Sequence, residues 1–469
     1  MFEDEELYSG ENIKENINRF EKMLKENEQY FFDVNVFEDI LDFYIEINNA
    51  KKAFKLIEFA SLQHPDSTVI LLRKAQLLAS TNKPQRALEI LSKLEGMEPS
   101  NVEIYFTKGN IYSQLRQYNK ALESFKRALE YAEDELDDIY LSIAFEYTNL
   151  GNHTQAIAHL KKALAENPEN ESALFELAFC YEITGKAEES IQYYSEFIDN
   201  HPYSSSAWFN LGVAYSKISL FEKAIDAYDY AIVIDENFSS AYFNKANALV
   251  GLEKYQEAIG VYTETFKHEE PDALTFYYIG ECFEKMENYN KALSYFNKAS
   301  KLDPFLADAW VGKGVVLDAL NRPNESIHYI NKAIAIEKNN ADYLYILADI
   351  QKKRGFIEEA QVAYKKVTEL DPENNEIWLD YSDIFYEQGD TEKAIKIINE
   401  GIKKQPGNAD LLFRITVYNI AGGLYNDAYD LFELGLQTDF EKHHLLFDYA
   451  PELKSNTMLI DLIDLHKSK

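Results

Sequence analysis

Several features are missing from this sequence, and each absence narrows its function. Its 469 residues include only two cysteines, Cys180 and Cys282, too few for a disulfide framework or a thiolate metal site. No run of about 18 apolar residues occurs, so no transmembrane helix is expected. The N-terminus, MFEDEELYSG, is acidic and lacks the apolar core of a signal peptide. We therefore expect a cytoplasmic protein.

Motifs that carry catalysis or cofactor binding are also missing. The sequence contains no phosphate-binding loop of the form G-x-x-x-x-G-K-[ST], no G-x-S-x-G nucleophile turn, no H-E-x-x-H zinc motif and no calcium loop. The neighbouring histidines His443 and His444 would lie on different faces of a helix, which disfavours joint metal binding. We expect no enzyme activity, no catalytic or metal-binding residue and no cofactor.

Positive charge is scarce relative to negative charge. The chain has 80 acidic and 47 basic residues, a formal charge of −33. Proteins that bind phosphate backbones or anionic membranes use clustered Lys and Arg, so neither nucleic acid nor membrane is expected as a partner. The acidity mildly favours a basic protein or peptide. The alternative, which we favour, is that the charge keeps a long solvated surface soluble.

The sequence does contain a repeating pair of amphipathic segments, most clearly between Ser205 and Phe238. The first segment has its apolar stripe at the helical spacing i, i+3, i+4 and i+7, with Trp208, Leu211, Gly212 and Tyr215. The second has Ala224, Tyr228 and Ala231 at i, i+4 and i+7. The turn between the segments is so short that the two helices must form an antiparallel hairpin.

This pattern recurs at intervals of 34 residues from Val34 to Lys442. With Ser205 as position 1, all three tryptophans fall at position 4, and position 20 is Ala in ten copies and Ser in two. Seven of the eleven prolines fall at position 32, where they close the second helix. Position 15 is Gly or Asn in eight copies, residues that tolerate the left-handed end of a helix. The sequence predicts twelve hairpins.

A 34-residue helix-turn-helix with W-x2-L-G-x2-Y, then alanine, an aromatic residue and proline, resembles the tetratricopeptide repeat. The resemblance implies an all-α fold, an α-α superhelix of antiparallel helix pairs whose first helices line a concave groove for peptides or partner domains. Cys180 and Cys282 would then occupy position 10 of repeats that lie three apart. At that separation they cannot form a disulfide, and we expect both to be buried apolar residues.

Four segments are expected along the chain. Residues 1–33 form an acidic N-terminus and a capping helix, residues 34–135 hold repeats 1–3, residues 136–442 hold repeats 4–12, and residues 443–469 form C-terminal capping helices. Between repeats 3 and 4 the register slips by one residue, and the acidic turn near residues 130–138 lacks a closing proline. A hinge and an extended helix end both remain open there. The last helix is expected to bury Leu459, Ile460, Leu462 and Ile463.

In this family the groove is lined by positions 2, 5, 9, 12 and 13 of each first helix. The candidate partner-binding residues are Phe106, Asn110, Leu141, Phe145, Phe175, Phe179, Phe209, Asn210, Val213, Phe243, Asn244, Asn247 and Tyr277. Repeats 4, 5 and 6 carry apolar residues at both positions 5 and 9, and an exposed apolar patch usually marks a binding site. The alternative is packing against the neighbouring repeat or superhelical turn. Asn210 and Asn244 are expected to hold the partner's backbone.

The groove positions of the C-terminal repeats carry carboxylates instead, which favour segments rich in Lys and Arg. These are Asp308, Asp342, Asp349, Glu376, Asp383 and Asp410. The favoured function is a scaffold or adaptor that binds partner proteins or peptides in the groove. A structural spacer or self-associating element is the alternative, and a regulatory subunit of an enzyme is less favoured. The oligomeric state is left open.

Overall fold

The computed structural model describes residues 2–26 and 30–467, and its side chains from Ile13 to Lys25 and from Tyr30 onward. The chain divides into two compact units, Met1–Ala241 and Tyr242–Lys469. The described residues form helices joined by short turns, and no strand occurs among them. The all-α fold predicted from the sequence is confirmed.

The first unit begins with a capping helix and continues as paired helices. Its helices are α1 (Phe2–Glu26), α2 (Val34–Glu46), α3 (Ala50–Gln63), α4 (Thr68–Ser80), α5 (Pro84–Met97), α6 (Val102–Gln114), α7 (Tyr118–Tyr131), α8 (Leu136–Asn149), α9 (His153–Glu166), α10 (Glu171–Ile183), α11 (Ala187–Asn200), α12 (Ser205–Lys217) and α13 (Phe221–Ile234). The boundary between the units falls within α14 (Ser239–Gly251).

The second unit continues the pairs and ends in shorter helices. Its helices are α15 (Tyr255–Thr265), α16 (Ala273–Lys285), α17 (Tyr289–Leu302), α18 (Ala307–Ala319), α19 (Pro323–Ile336), α20 (Ala341–Lys353), α21 (Ile357–Leu370), α22 (Asn375–Glu387), α23 (Thr391–Lys404), α24 (Ala409–Ala421), α25 (Tyr425–Thr438), α26 (His444–Tyr449) and α27 (Thr457–Lys467). Two 3₁₀ helices, Phe440–His443 and Pro451–Ser455, flank α26. The twelve predicted hairpins run from α2–α3 to α24–α25.

The turn of every hairpin contains one residue in the left-handed conformation, always at position 15. Five of the twelve are glycines and three are asparagines, as the sequence predicted. The other four are residues that seldom adopt this conformation: Arg116, Ser219, Glu253 and Glu287. Left-handed backbone costs a residue with a side chain about 1–2 kcal/mol, so in these four repeats the hairpin packing imposes the geometry against local preference.

Small residues at position 8 let the two helices of a hairpin approach closely. A Cβ built on Gly212 would lie 2.5 Å from the ring of Tyr228, which is position 24 of the same hairpin. A Cβ on Gly109 would lie 2.4 Å from the ring of Phe125, its own position 24. Both rings are fully buried. The aromatic residue at position 24 therefore fills the space that the glycine leaves.

Successive hairpins are tied together by a hydrogen bond that the sequence pattern did not reveal. The indole N–H at position 4 donates to the carbonyl of the preceding position 32 proline, at 3.0 Å in each of three pairs: Trp208 to Pro202, Trp310 to Pro304 and Trp378 to Pro372. The hydroxyl of Tyr105 donates to the Pro99 carbonyl in the same way, at 2.8 Å. Proline at position 32 thus ends one hairpin and anchors the next.

The register slip between repeats 3 and 4 is absorbed at the start of α8. This helix begins one residue early, at Leu136, and Glu135 before it adopts a left-handed conformation, whereas α7 has the same 14 residues as most second helices. Ile139 and Ile143 of α8 pack in one cluster with Phe125 of α7. The apolar core is therefore continuous across the acidic turn, which argues against a hinge there.

Both chain ends pack apolar residues onto the adjoining hairpins. Phe20 and Met23 of α1 are buried in the core of the first hairpin. At the other end, Leu459 of α27 is buried in a cluster with Phe432, and Leu462 and Ile463 pack against it. The sequence also assigned Ile460 to this buried face, but that residue is exposed. The apolar face of α27 is thus narrower than predicted.

Candidate functional site

Four of the predicted groove residues at position 5 serve the hairpins themselves. Each ring packs on the position 24 ring of its own hairpin, with centroids 5.5–5.8 Å apart: Phe106 on Phe125, Phe209 on Tyr228, Phe243 on Tyr262 and Tyr277 on Phe296. Such tilted and edge-to-face contacts stabilise a pair beyond its burial. For these four residues the structure favours the packing alternative over partner binding.

Asn210, expected to hold a partner's backbone, lies in the interior of the stack. It is 2% exposed, and its amide donates to the carbonyl of Leu174 in the preceding hairpin at 3.2 Å. The hydroxyl of Tyr194 donates to the same carbonyl at 2.6 Å. Burial, with smaller contributions from neighbouring tyrosines, raises the pKa of Tyr194 well above its ordinary value and keeps that donor protonated. Asn210 therefore joins two hairpins and is inaccessible to a partner.

The remaining candidate asparagines have different surroundings. Asn110 is exposed and Asn244 is half-buried. Asn247 accepts a hydrogen bond from the hydroxyl of Tyr262. Asparagines at the same repeat position, 6 for Asn210 and Asn244 and 9 for Asn110 and Asn247, thus differ in their exposure.

Asn210→Ala is expected to destabilise the first unit by about 1–3 kcal/mol, since it removes a buried donor that links two hairpins. Partner binding by the folded chain should be unchanged. Urea unfolding monitored by circular dichroism, together with a binding assay on the native protein, checks both statements. If the variant kept wild-type stability but lost partner binding, Asn210 would instead belong to the partner-binding surface.

Three phenylalanines remain exposed where the sequence placed the doubled apolar pairs. Phe145 of α8 and Phe175 and Phe179 of α10 are 40%, 40% and 45% exposed. Phe145 and Phe179 occupy position 9 of neighbouring hairpins, and Phe175 lies one turn before Phe179. The helices α8 and α10 contact each other, so the three rings share one side of the unit.

The partners of these rings show where the exposed region ends. The rings of Phe175 and of Phe209 on α12 meet edge to face, with centroids 6.1 Å apart. Leu141 and Val213, the other members of the doubled pairs, are half-buried. The apolar side chains at the groove positions of α12 are therefore mostly packed inside the stack of helices.

Ile183, which is not among the predicted groove residues, extends the exposed region. It follows Phe179 by one helical turn and is 56% exposed. It occupies position 13, one of the groove positions, and that position was the signal that could have identified it. We call Phe145, Phe175, Phe179 and Ile183 the apolar face. At its edge, the Lys217 ammonium pairs with the Glu182 carboxylate at 2.6 Å.

A cleft of about 540 Å³ lies at the N-terminal ends of α10 and α12. Its lining includes Leu174, which precedes Phe175 on α10, and Tyr203 in the turn between α11 and α12. Tyr203 is 86% exposed. None of the four residues of the apolar face lines this cleft.

Three of the six groove carboxylates predicted in the second unit are engaged within the chain. Asp308 accepts a hydrogen bond from Tyr343 at 2.6 Å, Asp410 pairs with Lys442 at 3.0 Å, and Asp383 pairs with Lys352 at 3.0 Å. Burial alone would raise the pKa of Asp383, but the hydrogen bonds and positive charges around it hold that pKa below its usual value.

The other three carboxylates, Asp342, Asp349 and Glu376, are exposed. A preference for basic segments in the second unit would therefore depend mainly on these three.

Within the described residues, the structure holds no cluster of three or more His, Cys, Asp or Glu side chains suited to a metal ion. Cys180 and Cys282 are free thiols and both are buried, as expected. Across the same part of the chain, no helix is long and apolar enough to cross a membrane. On the first helices of the first unit, the exposed aromatic side chains at predicted groove positions are those of the apolar face.

Relatives with partial similarity are found among curated and solved proteins. The anaphase-promoting complex subunit CDC16 of Saccharomyces cerevisiae is 27% identical over 105 residues, 22% of this chain and 12% of that protein. The chain thus matches only a small part of that relative. A solved structure of the APC/C hetero-tetramer Cut9-Hcn1 is 14% identical with a TM-score of 0.42, covering 88% of this chain and 94% of the other.

A tetratricopeptide repeat protein from Parabacteroides merdae ATCC 43184 gives a TM-score of 0.43 at 16% identity, covering 54% of this chain and 99% of the other. Models of the tetratricopeptide repeat itself match residues 102–135, 146–205, 205–238, 273–306, 307–340 and 353–415, together more than half of the chain. The single-repeat matches begin at the same residues as α6, α12, α16 and α18. The chain belongs to the tetratricopeptide repeat family.

Proposed function

We propose that this protein is a scaffold or adaptor that binds a segment of a partner protein through the apolar face. The carrying observation is the exposure of Phe145, Phe175 and Phe179 on adjoining first helices, where most other aromatic groove residues pack inside the hairpins. Single exposed apolar residues are common on protein surfaces. A group of four on one side of two neighbouring helices is the kind of patch that marks an interaction site.

The chemistry of the apolar face defines the partner segment. The rings of Phe175 and Phe179 and the side chain of Ile183 follow one another at intervals of four residues along α10. An amphipathic helix with apolar residues at i, i+4 and i+7 presents matching side chains. An extended segment with alternating apolar residues could also cover this stripe. In either case the binding energy comes from apolar burial, so affinity should change little with salt.

Self-association is the competing function, because an apolar face can also be covered by a second copy of the chain. The net charge of −33 opposes the approach of two copies. A spacer role is disfavoured because a spacer needs no exposed aromatic side chains on its first helices. A relative named as a subunit of a larger complex agrees with a scaffold, although the likeness covers little of that protein.

Light scattering combined with affinity capture tests the proposal. The tagged full chain is expected to be monomeric at micromolar concentration and to retain a partner in a fixed molar ratio through washes at 0.5 M NaCl. A peptide from that partner with the apolar spacing described above should release it. A stable dimer that captures nothing in fixed ratio would contradict the scaffold and support the self-associating alternative.

A further inference from the structure

The second-helix side of repeats 10 and 11 carries a cleft whose charge is opposite to that of the whole chain. The cleft lies between α21 and α23 and has a volume of about 670 Å³, a size typical of binding sites. Five lysines contribute to its lining: Lys365, Lys393, Lys396, Lys403 and Lys404. Two glutamates, Glu369 and Glu400, line it as well. The lining therefore has a surplus of three positive charges on a protein of net charge −33.

The lysines of α23 form a stripe along one side of that helix. Lys396 follows Lys393 by three residues and Lys403 follows Lys396 by seven, spacings that return to the same helix face. In the described part of the chain, none of the five lining lysines has a carboxylate within the 4.0 Å of an ion pair. Glu369 and Glu400 offset only part of the repulsion among the five lysines, and an anionic ligand would offset more of it.

The floor of the cleft is apolar. Trp378 and Ile397 are almost fully buried beneath it, and Tyr381 is half-buried. The Trp378 indole N–H already donates to the Pro372 carbonyl at 3.0 Å, so this residue offers a ligand its ring surface only. The side chain of Lys393 lies over the Phe385 ring, with Nζ 4.1 Å from the centroid. A ligand that fits this cleft combines negative charge with an apolar group.

The length of the stripe favours a peptide over a single ion. From Lys393 to Lys403 the helix rises about 15 Å, a distance spanned by about five extended residues. A single phosphate or carboxylate would contact only one end of this row. A short acidic segment can place carboxylates beside several ammonium groups and still bring one apolar side chain to the floor.

We propose that this cleft binds an acidic segment of a partner protein, with carboxylates at Lys396 and Lys403 and an apolar side chain over Trp378. This site differs from the apolar face in position, since its five lysines lie on second helices, and in the charge that it selects. It does not depend on the proposed function of the apolar face. The same chain would then present two surfaces to partners of different chemistry.

Fluorescence anisotropy of a labelled peptide tests the site on the full chain. The probe contains six glutamates around one central leucine, and saturable binding is expected at 50 mM NaCl. Lys396→Glu/Lys403→Glu should weaken it at least about tenfold, because two attractions become repulsions. Raising the salt to 300 mM should also weaken wild-type binding. Both lysines are exposed, so the variant is expected to keep the helical circular dichroism of the wild type.

The matched control is Lys51→Glu/Lys55→Glu on α3, which changes the net charge equally at two exposed lysines outside the cleft. It should bind the peptide within about twofold of wild type, because neither of these lysines lines the cleft. No saturable binding by wild type, or an equal loss in both variants, would overturn the proposal. The proposal would also fail if wild type bound an oligothymidine of the same charge more tightly than it binds the peptide. It would fail as well if wild type formed a dimer and Lys396→Glu/Lys403→Glu dissociated that dimer.

Discussion

Gly212→Leu is expected to destabilise the first unit by about 3 kcal/mol, at the upper end of the usual cost of overpacking. A Cβ at this position would lie 2.5, 2.7 and 2.9 Å from three carbons of the Tyr228 ring. That ring is 1% exposed and its hydroxyl lies 3.2 Å from the Ser216 hydroxyl, so it has little room to move. Alanine occurs at position 8 opposite tyrosine elsewhere, at Ala178 and Tyr194, so the branched leucine side chain is needed to force the helices apart.

The measurement is urea unfolding followed by tryptophan fluorescence. Trp208 lies in the same hairpin as Gly212 and stacks on Tyr230 with centroids 4.4 Å apart, so it reports on local opening. Gly96→Leu is the matched control, because nothing lies within 4 Å of a Cβ built on Gly96. It should leave stability within about 0.5 kcal/mol of wild type, as exposed substitutions usually do. Equal stability of Gly212→Leu and Gly96→Leu would contradict the close helix approach.

Phe175→Ser/Phe179→Ser is expected to weaken partner binding by about 3 kcal/mol, or roughly a hundredfold, since aromatic residues at the centre of an interface contribute most of its energy. Both rings are at least 40% exposed in the free chain. Their loss should therefore cost the fold less than the loss of buried rings, and the helical circular dichroism should remain unchanged. Binding of the captured partner to wild-type and variant chains, measured by calorimetry, gives the comparison.

The control for this variant removes a similar amount of exposed apolar surface from second helices. Leu62→Ser/Val233→Ser changes residues that are 78% and 81% exposed, on α3 and α13. It should bind the partner as wild type does. If the two double variants lose affinity equally, general surface hydrophobicity explains the binding and the apolar face does not.

The hairpins were predictable because their determinants are local and repeated. Position 24 is a large apolar or aromatic residue in all twelve copies, position 8 is Gly or Ala in nine, and position 15 is Gly or Asn in eight. Gly212 and Tyr228 could be matched by spacing alone. The left-handed conformations of Arg116 and Glu287 could not be read from those residues, because neither residue prefers that geometry; only the register indicates it.

The site was less predictable because groove positions are shared between packing and binding. Spacing places Phe175 and Phe209 in equivalent positions, yet only Phe175 is substantially exposed. Phe209 also meets Phe238 in the turn between α13 and α14, with ring centroids 4.9 Å apart, and that contact depends on how this turn folds. Asn210 is buried because Leu174 in the preceding hairpin offers it a carbonyl. Such contacts between hairpins are not encoded in the period of one repeat.

Photo-crosslinking tests most directly whether the apolar face is the partner surface. A benzoylphenylalanine placed at Phe179 lies on the apolar face, and one placed at Val233 lies on a second helix of the same unit. Irradiation of the purified complex is expected to join the partner covalently to the chain substituted at position 179, and not to the chain substituted at position 233. Crosslinking from position 233 with none from position 179 would contradict partner binding through the apolar face.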